Sequence, residues 1–92
     1  MNTYAPILLF VYNRPEHVRR NIQALLKNEL AAESELFIYS DAAKDENSQT
    51  AVEEVRTFIR SIQGFKKITI TERAENWGLA RSIIDGVTTL IN

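Results

Sequence analysis

Cysteine is absent from this 92-residue chain, and with it go disulfides, thiolate nucleophiles and zinc–thiolate centres. Glycine and proline are scarce, at three and two residues, and no linker, low-complexity segment or close internal repeat interrupts the chain. No excess of one charge is present either. Eleven basic and twelve acidic side chains leave a net charge of −1, so the basic stripe of a nucleic-acid binder is missing and no nucleic-acid partner is expected. The first four residues lack the basic stretch of a signal peptide, and the longest apolar run, residues 7–12, is too short to span a membrane. A soluble, cytoplasmic protein is the expectation. Two nucleotide fingerprints are also missing: no G-x-G-x-x-G follows the first apolar run, and no G-x-x-x-x-G-K-S/T occurs.

What is present is an ordinary globular composition, 45% hydrophobic and 25% charged, of a size for one domain over residues 1–92. Ile7-Leu8-Leu9-Phe10-Val11-Tyr12 is a continuous apolar run that ends abruptly at Asn13-Arg14-Pro15. Such a run reads as a strand buried on both faces of a parallel sheet. Pro15 fixes its own φ and restricts Arg14, which marks a sharp turn from strand into helix. Val18, Ile22, Leu25 and Leu26 then recur at helical spacing from Pro15 to about Lys27.

The unit repeats. Residues 36–39 form a second strand ending at Ser40-Asp41, and residues 42–48 a polar loop. Thr50-Ala51-Val52-Glu53 has capping-box spacing and opens a second helix with Val52, Val55, Phe58, Ile59 and Ile62 on its apolar face. Gly64 is placed to end it. Residues 67–71 alternate like a half-exposed strand, and after Gly78 a third helix carries Leu79, Ile83, Ile84, Val87, Leu90 and Ile91. Three strand–helix units with right-handed crossovers predict an α/β domain: a three-layer, Rossmann-like arrangement with a parallel sheet in the order 3-2-1 and flanking helices. The most apolar strand then lies at an edge, which predicts that a further strand belongs beyond Asn92.

In open α/β sheets ligands bind at the carboxyl ends of the strands, and helix amino ends there favour anions. Asp41 can accept a hydrogen bond from a base N–H or a ribose hydroxyl, or it can be a plain turn or cap residue. Arg14 can pair with a phosphate or stack on a base, or simply be solvated before Pro15. Asn13 reads as a helix-start residue, and Tyr12 as a stacking platform or a core residue. Trp77 reads as a hydrophobic anchor for its loop. Arg81, in the first turn of the third helix, gains nothing from the dipole; either a bound anion or an ion pair with Asp85 would account for it. His17 reads as a surface residue. Asp41, Asp45 and Glu46 show no recognisable metal-ligand spacing and read as a solvated acidic loop.

Val11-Tyr12-Asn13-Arg14-Pro15-Glu16-His17, Phe37-Ile38-Tyr39-Ser40-Asp41 and Asn76-Trp77-Gly78-Leu79-Ala80-Arg81-Ser82-Ile83-Ile84-Asp85-Gly86-Val87 together resemble nucleotide-sugar glycosyltransferases of the GT-A fold. The likeness is to bacterial family-2-like enzymes and to N-acetylglucosaminyltransferase I, and it covers nearly the whole chain in order. It implies that Tyr12, Asn13, Arg14 and Asp41 hold the nucleoside of a UDP-sugar or a related donor, and that Arg81 approaches the diphosphate. Many members have consecutive acids after the second strand; here Ser40 takes the first place. The family's Mn²⁺- or Mg²⁺-binding acids lie on a later strand and its catalytic carboxylate further on, so the resemblance covers the donor-binding half only. It implies a truncated half with no catalytic residue and no metal held by its own ligands, inactive as an isolated chain. With its open apolar edge, self-association through the first strand and third helix is expected. The other class of reading is a small α/β interaction module that self-associates and binds no nucleotide.

Overall fold

The structure, a computed structural model, describes residues 6–78 and 83–88. Strand β1 (Ile7–Val11) leads into helix α1 (Pro15–Leu26), a short 3₁₀ turn (Ala31–Glu33), strand β2 (Glu35–Ser40), helix α2 (Glu46–Ile59) and strand β3 (Lys67–Glu72). The three strands form a parallel sheet in the order β1-β2-β3. Leu9 is opposite Ile38, and Ile38 opposite Ile70. The domain is therefore a small α/β unit with a three-stranded parallel sheet flanked by helices.

Alternation along the strands divides their side chains between two faces. On one face Leu36 and Ile38 of β2 meet Val18 and Ile22 of α1 and Val55 and Ile59 of α2, and this cluster is the core. Leu36, Ile38, Val55 and Ile59 are fully buried, each worth about 1.5–3 kcal/mol relative to exposure. Both helices sit on this face because two right-handed crossovers running the same way across a sheet put their helices on the same side. On the other face Phe10 stacks on Tyr39, with centroids 5.3 Å apart and planes 18° from parallel. Residues 83–88 are helical and lie against that pair. Gly86 makes the approach possible: a Cβ there would come within 3.1 Å of the Tyr39 ring and 3.3 Å of Phe10.

Several boundaries differ from the sequence reading. The apolar run of β1 is half-buried except at Val11, because only one of its edges is paired among the described residues; β2, paired on both sides, takes the more buried place. Helix α2 begins at Glu46 and not at the Thr50 capping box. Asp45 caps it, its Oδ1 accepting from the Ser48 N–H at 3.0 Å, and a true N-cap carboxylate outweighs a spacing match. The helix ends at Ile59, so Gly64 is not its terminator. Gly64 has φ +104° in the turn before β3, and a Cβ there would lie 2.7 Å from Leu26 Cδ2. Ile83, Ile84 and Val87 are exposed, Ile84 by 68%. Leu79, Leu90 and Ile91 lie outside the described residues. Among the described residues no helix is long and apolar enough to cross a membrane.

Gly64 and Gly78 give a contrast. Gly64→Ala meets both an unfavourable φ and a clash with Leu26, whereas Gly78, at φ +78°, has nothing within 4 Å of the added Cβ. Gly78→Ala should cost about 1–2 kcal/mol, the left-handed penalty alone, and Gly64→Ala clearly more. Urea unfolding of the two variants beside the parent checks the ranking.

Candidate functional site

The carboxyl ends of the three strands carry a network centred on Asp41. Parallel pairing brings the residue after β2 beside the end of β1, and the Asp41 N–H donates to the Val11 carbonyl at 3.1 Å. The Asp41 side chain is buried. Its Oδ1 accepts from the N–H of Ala42 at 3.0 Å and of Trp77 at 2.7 Å, and its Oδ2 from the N–H of Gly78 at 2.8 Å. A carboxylate out of water requires such donors. Asp41 thereby binds the loop after β3 to the end of β2. Asn76 adds a second tie, its Nδ2 donating to the Ala42 carbonyl at 3.0 Å.

Arg73 lies over the face of Trp77 at 3.8 Å and over Tyr39 at 5.5 Å, and pairs with Asp85. Its guanidinium joins the loop, the sheet and helical residues 83–88. Asp85, a partner weighed for Arg81, is thus engaged by Arg73; Arg81 itself lies outside the described residues. Trp77 ties the loop to Asp41 through its backbone N–H, and its ring lies under the Arg73 guanidinium.

Arg56 was not anticipated. Its Nε donates to Ser40 Oγ at 3.0 Å, and its Nη2 to the carbonyls of Ser40 at 3.2 Å and Arg73 at 2.7 Å. It clamps the ends of β2 and β3 from the α2 side. The usable signal was Ser40, a hydroxyl ending an apolar strand and fully buried, which must find a polar partner. Next to it Arg60 holds Glu72 through two hydrogen bonds, at 2.8 and 2.6 Å. Hydrogen bonding to Arg60 lowers the Glu72 carboxyl below its ordinary value, against a smaller opposing effect of burial.

A cavity of about 540 Å³ opens at the end of β1 and the start of α1. Tyr12, Asn13, Arg14 and Asp41 all border it, as do His17, Asn21 and Lys44. The Tyr12 hydroxyl accepts from the Lys44 N–H at 2.9 Å, which fixes the loop after β2 over the end of β1. Arg14 is exposed and is the N-cap of α1 without a side-chain cap bond. The floor is aromatic and aliphatic, from Phe10, Tyr39, Val11 and Val18. An apolar floor with cationic and amide groups on its walls suits a planar ring bearing an anionic group.

Asp41 spends its oxygens on three backbone N–H groups and Asp45 caps α2. No group of three or more His, Asp or Glu side chains that could hold a metal occurs among the described residues. No family model matches the chain, and neither characterised proteins nor solved structures yield a match.

Asp41→Asn replaces one acceptor oxygen by an amide that faces a backbone N–H. The expected cost is about 1–3 kcal/mol, with the fluorescence of Trp77, the sole tryptophan, shifting to the red as its loop loosens. Urea unfolding and an emission spectrum test both; unchanged emission would show that the loop does not depend on this carboxylate.

Proposed function

We propose that this domain binds the nucleotide of a nucleoside-diphosphate sugar, UDP-sugars being favoured, as the donor-binding part of a GT-A-type glycosyltransferase with a Rossmann-like amino-terminal half. The observation that carries the reading is convergence. Tyr12, Asn13, Arg14 and Asp41 come from two separate strand ends, and all four border one cavity at the amino end of α1. The position is the ligand site of open α/β sheets, and the motif resemblance names the same residues.

In this reading the domain's own part is to hold and orient the donor. Arg14 and the α1 amino end attract the phosphates, and the apolar floor takes a ring. The resemblance places the Mn²⁺ or Mg²⁺ ligands and the catalytic carboxylate on later strands of a parent enzyme. The acceptor is not named by anything in the site.

Titrating isotopically labelled protein with UDP tests this. Amide shifts should centre on Tyr12, Asn13, Arg14 and Asp41 with a Kd of about 1 mM or weaker (roughly −4 kcal/mol). Absence of UDP-induced shifts, or shifts centred on Lys67 and the start of β3, would contradict it.

One observation favours a second reading, a self-associating module. Among the described residues β1 is paired along one edge only, with no charge along Ile7–Val11, and Ile84 and Val87 are exposed on the helical segment whose Gly86 lies against Phe10. Unprotected edges and apolar patches invite a second copy. Light scattering across a dilution series should then find a dimer that Ile84→Lys dissociates; a monomer at high micromolar concentration removes this reading.

A further inference from the structure

Helix α1 carries a second set of polar groups along the cavity. Arg14, His17, Val18 and Asn21 all border it, and spacings of three and four place them on one stripe of the helix. At a rise of about 1.5 Å per residue the stripe runs roughly 10 Å from Arg14 to Asn21. Its two ends differ in charge. Arg14 stands at the positive end of the helix dipole, and the loop residue Lys44 also borders the cavity. Asn21 is neutral, half-buried, and makes no hydrogen bond through its side chain to another described residue.

A carboxamide presents N–H donors and a carbonyl acceptor side by side. That pattern complements a ring edge on which N–H and C=O alternate, as on a nucleobase. Asp41, the residue first expected to read such an edge, already accepts at both oxygens from backbone donors, of Ala42 beside it and of Trp77 and Gly78 in the loop after β3. Resting on the nucleotide-binding reading above, we infer that Asn21 is a specificity-determining residue that hydrogen-bonds the polar edge of the base. The phosphates lie toward Arg14, and Asp41 is a positioning residue that shapes the opposite wall. The ligand therefore lies along α1 with its anionic end at the helix start.

The inference separates base recognition from phosphate recognition, and three probes resolve them: uridine, UDP and inorganic pyrophosphate. Each is titrated against the parent, Asn21→Ala and Arg14→Ala, with amide spectra reporting both folding and affinity. Asn21→Ala should weaken uridine and UDP at least fivefold and leave pyrophosphate unchanged. Arg14→Ala should weaken UDP and pyrophosphate and spare uridine. Asn21→Gln, which keeps the carboxamide on α1, should restore part of the uridine affinity. If the parent binds UDP and Asn21→Ala binds it equally well, or loses pyrophosphate to the same extent, the inference is overturned while nucleotide binding stands. If the parent binds neither uridine nor UDP, the nucleotide-binding reading itself falls and this inference with it.

Discussion

A carboxylate removed from water at the end of a buried strand has to find donors, and Asp41 finds three in the backbone of Ala42, Trp77 and Gly78. The edge of the domain is organised by that requirement. Charge-assisted hydrogen bonds are among the stronger ones in a protein, and a buried ion left unpaired is costly, so the loop after β3 is held where it can satisfy Asp41. The glycine in that loop, at φ +78°, lets the chain turn immediately after the two N–H groups that face Asp41. Asn76, Arg73 and Arg56 then add ties from three directions. The wall of the cavity is thus set by one buried charge.

The sheet determines where that wall stands. β2 is paired on both sides and carries the fully buried Leu36 and Ile38, so its carboxyl end is the best-determined point on the edge. β1 is paired on one side only among the described residues, and the cavity opens beside its end, where α1 begins. The two faces of the sheet are filled by different means. Interlocking aliphatic side chains fill one, while on the other a glycine lets a helical segment approach two stacked rings. Ile83, Ile84 and Val87 of that segment are exposed.

Much of this was legible in the sequence. The strand-to-helix turn at Arg14-Pro15, the helical spacing of Val18 and Ile22, and the alternation of β3 follow from local chemistry, and the elements lie where those patterns fall. The start of α2 was misread because two helix-start signals compete within six residues, and only the fold shows that Asp45 reaches the Ser48 N–H. The burial of β1 was overstated because an apolar run records what a strand can tolerate, not which of its edges is paired. Of the residues bordering the cavity, Tyr12, Asn13, Arg14 and Asp41 could be named from position alone. The clamp by Arg56 could not, since it depends on the packing of α2 against strand ends far away in the chain.

Hydrogen exchange reads the engagement of the Asp41 carboxylate directly. The Trp77 and Gly78 amides lie in a loop outside any helix or strand, where unbonded N–H groups exchange fast. If Asp41 holds them, both should be protected to the level of the amides of β2 in the parent protein, and both should lose that protection together in Asp41→Asn. Fast exchange at Trp77 and Gly78 in the parent, with β2 still protected, would contradict the claim that this carboxylate organises the edge.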